Sequence, residues 1–380
     1  MIIQDKLLFL NAFSSVEDPR VNRTKDHELI EILAITICGV ICGADNWVAI
    51  EQWGKAKLDW LKTFLFLKNG IPCHDTFGRV FMNLEPEQLQ LAFINWVQTL
   101  AQVTEGQIIA LDGKTLRKSF DTATNKAAIH MVSAWASANN LVLGQLATDE
   151  KSNEITAIPK LLELLVIKGC VITIDAMGCQ KKIAEIIVKK EADYILHVKK
   201  NQPTLMNQIE IFFDEYLDNT CKVDKAKHDF FEEKNESHGR IETRKVLTVP
   251  VEDSLVEVDA WKGLKSLVRV ERIRELSNKI ECNISYYIST IYYKNARRIG
   301  EGIRNHWGIE NKVHWILDVA FDEDQCRVRK GYAAQNLAVI RHIALNLLKH
   351  EYTARVGIKN KRLRAGWDND YLLKVLTVGS

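Results

Sequence analysis

The chain has 380 residues, of which 47% are apolar and 26% charged, with 19 Gly and 6 Pro. That length predicts two or three domains, and the composition is that of a folded chain with a sizeable core, which excludes disorder and Gly/Pro low complexity. The net charge is only +2, but residues 291–380 carry 16 Lys/Arg against 9 Asp/Glu (net +7), so the carboxyl-terminal quarter either meets a polyanion or presents solvated helix faces.

The longest apolar stretch, Leu29 to Ala44, is 16 residues long and contains Glu31, short of the roughly 20 that a membrane span needs. The start, Met1-Ile-Ile-Gln-Asp-Lys, has no basic segment followed by an apolar run and cleavage site, so a cytoplasmic location is expected and no membrane partner. The cysteines at 38, 42, 73, 170, 179, 221, 282 and 326 are scattered through apolar segments and read as reduced, small core residues.

Taken in chain order, residues 1–104 read as a helical domain for DNA binding or assembly. Asp26 can cap a helix from His27 through Ile41, and Asn46 can cap a second carrying Trp47, Ile50 and Trp53. Pro86 suits the first turn of a third, with Leu89, Phe93, Trp96 and Leu100 on it. The pattern changes at Gln107. Strands are expected at Ile108–Asp112, Ile129–Ala136, Leu141–Ala147, Val171–Asp175 and Tyr194–Val198, with helices over Ile155–Val166 and Gln180–Lys190. This order predicts a mixed α/β sheet with helices on its faces. A helix over 203–218 precedes a β-rich insertion, about 225–292, with strands at Ile241–Val249, Leu255–Trp261, Ser266–Ile273 and Ile280–Ile291. Helices Asn295–Asn305, Ile309–Val319 and Ala333–Lys349 close the second domain, 105–350, and 351–380 reads as a basic tail.

Asp112 and Asp175 each end a short apolar strand and precede a small residue, Gly113 and Ala176. If those strands are neighbours, the two carboxylates converge at one sheet end, where α/β sheets place their ligands. Close carboxylates repel unless a cation lies between them, and hard oxygen ligands suit Mg²⁺ or Mn²⁺. An Asp at a strand end equally serves as a turn or cap residue. Glu310 lies in Arg304-Asn-His-Trp-Gly-Ile-Glu-Asn-Lys-Val-His-Trp, where His306 and His314 stand four residues to either side on the same helix face. It suits an ion network, or it completes a two-metal site for phosphodiester chemistry.

Other chemistries fail on their motifs. Gly113-Lys114-Thr115 mimics the end of a phosphate-binding loop, but the earlier Gly position is Ile108. Cys38-x₃-Cys42 has no partner pair for zinc, and no dinucleotide fingerprint or nucleophile elbow is present.

Five segments together, Ile109-Ala-Leu-Asp-Gly-Lys-Thr, Val171-Ile-Thr-Ile-Asp-Ala-Met, Val198-Lys-Lys-Asn-Gln-Pro, His238-Gly-Arg-Ile-Glu-Thr-Arg and Arg304-Asn-His-Trp-Gly-Ile-Glu-Asn, resemble the H-repeat-associated, ISAs-type insertion-sequence transposases. The resemblance runs from about residue 13 to 350. It implies a DDE enzyme with an RNase H-like core, which binds terminal inverted repeats and cuts and joins DNA. The triad would fall on Asp112, Asp175 and Glu310, 63 (175 − 112) and 135 (310 − 175) residues apart, holding two Mg²⁺ ions or Mn²⁺ in their place. Where the wider group has Tyr, Arg and Lys around the Glu, this chain has Ile303, His306 and Leu317. Double-stranded DNA, both transposon ends and target, is the implied partner, with a dimer in the working complex and nucleoid association when bound. Candidate DNA contacts are Lys114, Lys199, Asn201, Gln202, Arg240, Arg244, Arg304, His306 and Lys312, with Trp307 either stacking on a base or lying in the core. A catalytically inactive, host-adapted DNA-binding descendant is the alternative, and a general RNase H-like nuclease a third reading.

Overall fold

The computed structural model describes residues 8–21, 25–100, 105–121, 126–148, 154–218, 227–237, 240–251, 258–276 and 279–377. In chain order the helices and strands are α1 (Leu8–Phe13), α2 (Leu29–Ile41), α3 (Trp47–Ala56), α4 (Leu58–Leu61), α5 (His74–Asn83), α6 (Pro86–Leu100), β1 (Ile108–Thr115), β2 (His130–Ala136), β3 (Leu141–Ala147), α7 (Glu154–Leu164), β4 (Val171–Ile174), α8 (Lys181–Lys189) and β5 (Asp193–Val198). There follow α9 (Pro203–Leu217), β6 (Asp229–Ser237), β7 (Arg240–Pro250), β8 (Ser266–Leu276), β9 (Lys279–Ser289), α10 (Ala296–Ile309), a π-helical turn (Glu310–His314), α11 (Trp315–Phe321), α12 (Ala333–His350), α13 (Ile358–Trp367) and α14 (Asn369–Leu376). The chain divides into two compact units. The first comprises Met1–Gln102, Gly113–Asn153 and Glu310–Ser380, the second Val103–Asp112 and Glu154–Ile309.

In the first unit α12 is buried along almost its whole length and packs on α2, α5, α6 and β3. Buried Asn346 explains how a helix can cover a strand edge. Its amide both accepts from the Val142 N–H and donates to the Val142 carbonyl, each at 2.9 Å, so β3 keeps a partner there. Asn46 caps α3 as expected, accepting from the Ala49 N–H at 2.9 Å. The expected Asp26 cap is displaced: α2 begins at Leu29 with Glu28 as its cap, because Glu28 and Glu31 form a reciprocal capping box. Glu31 also accepts the Leu67 N–H at 2.6 Å, which is why a carboxylate is tolerated in so apolar a helix.

Residues 351–377 fold as well. Lys361 donates to the Leu348 carbonyl at 2.9 Å, and Arg362 grips the Val40 carbonyl at 2.7 Å and Asp45 at 2.5 Å while lying over the Phe321 ring.

In the second unit β1, β4 and β5 are parallel, with Ile108–Leu111 opposite Val171–Ile174 and those opposite Asp193–Leu196. The insertion continues this sheet antiparallel through β9, β8, β7 and β6. Helix α10 lies on one face, packing Ala296, Ile299 and Ile303 against Val171, Ile195, Val246, Val268 and Val270. The approach is close: a Cβ on Gly302 would sit 2.5 Å from Ile195 Cδ1. This is the mixed α/β sheet with helices that the sequence predicts. Two details differ. Strand β6 is polar and escaped the periodicity, and Val258–Ala260 form a 3₁₀ turn in place of the strand expected over Leu255–Trp261, the residues before Val258 lying outside those described. Of the cysteines, 38, 170 and 179 are buried as expected, whereas Cys73 and Cys282 are exposed, and Cys221 lies outside the described residues. Among the described residues no helix is long and apolar enough to cross a membrane.

Candidate active site

The registered pair Leu111 and Ile174 precedes Asp112 and Asp175, so the two aspartates follow matched positions of adjacent parallel strands; Asp175 lies just past the end of β4, whereas β1 runs on to Thr115, three residues beyond the end expected at Asp112. Neighbouring strands lie about 4.8 Å apart, and side chains alternate between faces. Alternation places Asp112 with Ile108 and Asp175 with Val171, and both of those residues contribute to the core beneath α10. The two acids therefore project to the face that α10 covers.

Asp175 is held by its own loop. Its Oδ1 accepts the Met177 N–H at 3.0 Å and the Gly178 N–H at 3.4 Å, and no described residue bonds Oδ2. Gly178 is required here, since a Cβ would lie 2.2 Å from Ile174 Cγ2. Burial, with the Glu154 carboxylate, holds Asp175 above its ordinary value, against the pull of those N–H donors and Lys199. The next loop braces the first: Asn201 donates to the Ala176 carbonyl at 2.5 Å and Gln202 to the Cys179 carbonyl at 2.9 Å. Lys199, two residues before Asn201, is exposed.

His306, near the end of α10, bonds the Thr173 hydroxyl at 3.1 Å, two residues before Asp175. The helix runs on to Ile309, and Glu310 is the next residue, opening the π-helical turn. Consecutive Cα atoms are 3.8 Å apart, so a helix fixed at His306 on β4 fixes where Glu310 begins. The π turn, a feature frequent at functional sites, winds wider than an α-helix. Sequence spacing put His306, Glu310 and His314 on one face; the turn resets that phase. Glu310 stays paired with buried His314, Oε2 to Nδ1 at 3.5 Å.

The remaining candidates divide by environment. Arg240 and Lys312 are exposed. Arg304 is half-exposed and bonds Glu233. Arg244 is nearly buried, 2.6 Å from Glu242 and 3.6 Å from Glu233. Lys114 is drawn inside the first unit, bonding Asp318 and, at 2.8 Å, fully buried Glu323. Trp307 is exposed, with the Arg272 guanidinium 5.8 Å from its ring. Sequence reasoning passed over Thr173, Glu154, Asp318 and Glu323. A threonine inside the apolar run Val171–Ile174 was the one readable signal; the three acids gave none.

Comparison along the chain settles the class. A model of the transposase DDE domain matches residues 104–347, and one for the DDE_Tnp_1-associated region matches residues 10–97, so the chain belongs to the DDE transposase family. The relatives narrow this to an H-repeat-associated group. The chain is 42% identical over 372 residues to the H repeat-associated putative transposase YhhI of Escherichia coli K12, covering 97% of each chain. It is 42% identical over 371 residues to the putative transposase YncI of E. coli O157:H7, covering 97% of this chain and 94% of that one. A 54-residue stretch, 14% of this chain, is 52% identical to 64% of the inactive transposase YbfQ of E. coli K12.

Proposed function

We propose that this chain is an active transposase that binds the terminal inverted repeats of its element and carries out metal-dependent DNA cleavage and strand transfer. Asp112, Asp175 and Glu310 are its catalytic acids and its metal ligands. One observation carries the reading: Asp112, inside β1, and Asp175, just past the end of β4, each follow the last registered pair of two adjacent parallel strands beneath the helix that leads into Glu310. The donor set fits a hard divalent cation, because all three side chains offer carboxylate oxygen and Asp175 keeps Oδ2 clear of backbone bonds. Mg²⁺, as two ions with Mn²⁺ able to substitute, would supply activation of a water or a terminal 3′-hydroxyl and stabilisation of the leaving oxygen.

The protein's own part is orientation. The Met177 and Gly178 N–H groups fix the Asp175 carboxylate, and the Asn201 and Gln202 amides fix the loop that carries those donors. His306 ties α10 to β4 through Thr173 and so sets Glu310. Lys199, Arg240, Arg304, His306 and Lys312 take the DNA backbone, while Lys114, Asn201, Gln202 and Arg244 hold the elements that present it. Joining two ends calls for a dimer in the working complex, on transposon-end and target duplexes in the cytoplasm and nucleoid.

The test is cleavage of a duplex bearing the element's own ends, with Mg²⁺, by the wild type and by Asp175→Ala. Cutting at the ends by the wild type alone is expected. Binding without cutting by both proteins sinks the enzyme and leaves an inactive DNA-binding descendant. Cutting without regard to the ends leaves a general nuclease.

A further inference from the structure

We propose that a cleft of about 380 Å³ in the first unit, lined by Trp47, Arg79, Met82, Arg327 and Lys330 among others, is an additional binding surface for the phosphate backbone of duplex DNA. For its partner this inference rests on the transposase reading above. None of these residues belongs to the catalytic or DNA-contact sets already described.

Three cations face the cleft against one carboxylate, Asp75; His74, also on its wall, is occupied by Glu51 at 2.7 Å. Arg79 lies along its own helix, bonding the Asp75 carbonyl at 3.3 Å and no described acid. Arg327 and Lys330 are exposed, and no described acid lies within ion-pair distance of either. Elsewhere the same unit pairs its cations freely, as at Lys114 and Arg362.

The segment carrying Arg327 and Lys330 is also firmly held. The Tyr332 N–H donates to the Met82 carbonyl at 3.0 Å, and Lys126 donates to the Gly331 carbonyl at 2.7 Å. Buried Asn336 donates to the carbonyls of Phe81 and Leu84 at 2.9 and 2.7 Å, tying α12 to the end of α5. Gly331 takes a φ of +51°, and a Cβ there would lie 2.5 Å from the Met82 carbonyl oxygen. Trp47 also lines the cleft; it stacks on Phe81, centroids 5.0 Å apart, and rests over Gly78. Cations presented on a fixed frame lose little freedom on meeting an anion. Their spread over a helix and a loop, with the indole N–H of Trp47 beside them, suits a run of phosphates, the groups that most protein–DNA hydrogen bonds reach.

The experiment measures anisotropy of the full chain on a labelled random-sequence duplex across a salt series, with chelator present. Each lost phosphate contact lowers the slope of log K against log salt by about 0.9, so Arg327→Gln/Lys330→Gln should lower it by about 2. Arg327→Lys/Lys330→Arg should keep the wild-type slope. Both loop residues are exposed, and a matching melting temperature shows that the variants are folded. An unchanged slope in the Gln pair overturns the cleft while leaving the transposase intact. So does a change in sedimentation with no change in slope, which would assign the cleft to a second copy of the chain. A wild type that binds no duplex overturns both readings.

Discussion

Replacing Lys114 by Met should cost far more stability than a surface lysine does. The side chain is only 12% exposed, and it neutralises Glu323, whose own side chain is 1% exposed. Removing one partner of a buried pair costs about 3–5 kcal/mol, because the surviving charge is stranded. Arg341, 3.6 Å from Glu323, compensates in part, so the lower end, about 3 kcal/mol, is appropriate. At roughly 2–4 °C per kcal/mol for a unit of this size, the melting temperature falls by about 6–12 °C. The dependence on pH has a definite sign. Burial opposes the charge on Lys114, but the Glu323 and Asp318 carboxylates outweigh it and raise the ammonium above 10.5, so its contribution is complete below that value and is lost as pH rises through the folded one. Burial likewise opposes ionisation of Glu323, but Lys114 and Arg341 prevail and lower its carboxyl below 4.5, so that contribution is present above 4.5 and fades as pH falls through the folded value. The gap between wild type and Lys114→Met is therefore widest and flat from about pH 5 to 10. Thermal unfolding followed by circular dichroism measures it, and Lys114→Met/Glu323→Gln should recover more than half. A single variant melting within about 1 °C of wild type at pH 7 would refute the reasoning.

Three further outcomes follow from the same contacts. Gly178→Ala forces a Cβ against Ile174, and the backbone shift that relieves the clash moves the residue-178 N–H relative to Asp175; we expect about 1–3 kcal/mol of destabilisation and a lower cleavage rate at saturating DNA, read by melting and by single-turnover kinetics. Asp175→Asn relieves an ionised carboxylate that burial disfavours, so metal-free protein should melt at or slightly above wild type at pH 8 and draw level as pH falls through the raised value; a lower melting temperature at pH 8 would contradict that account. Arg362→Lys gives up the bonds that a planar guanidinium makes to Val40 and Asp45 and its stacking on Phe321, a loss of about 2–3 kcal/mol seen as a lowered urea midpoint with an unchanged m-value.

How much of this could be read from the sequence depended on whether a residue's role is set by its neighbours in the chain. Apolar runs ending in Asp announced β1 and β4, and Asn46 announced α3, because strand and cap signals are local. The last two helices carry buried cations, Lys361, held by the Leu348 carbonyl, and Arg362, whose carbonyl and carboxylate partners at Val40 and Asp45 lie 322 and 317 residues away, so a pattern with Lys and Arg on its inner face read as a tail. The same distance hides Lys114, whose acids are 204 and 209 residues on, and Arg244, whose acid Glu233 faces it across a strand pair. A lone Lys or Arg in a sequence shows its charge and not its counter-charge, so every such residue looks available to DNA until the fold assigns its partner. That asymmetry makes Arg327 and Lys330 informative in turn: in a unit that buries and pairs so many of its cations, two that stand on a fixed loop with no described acid beside them are placed for an anion from outside the chain.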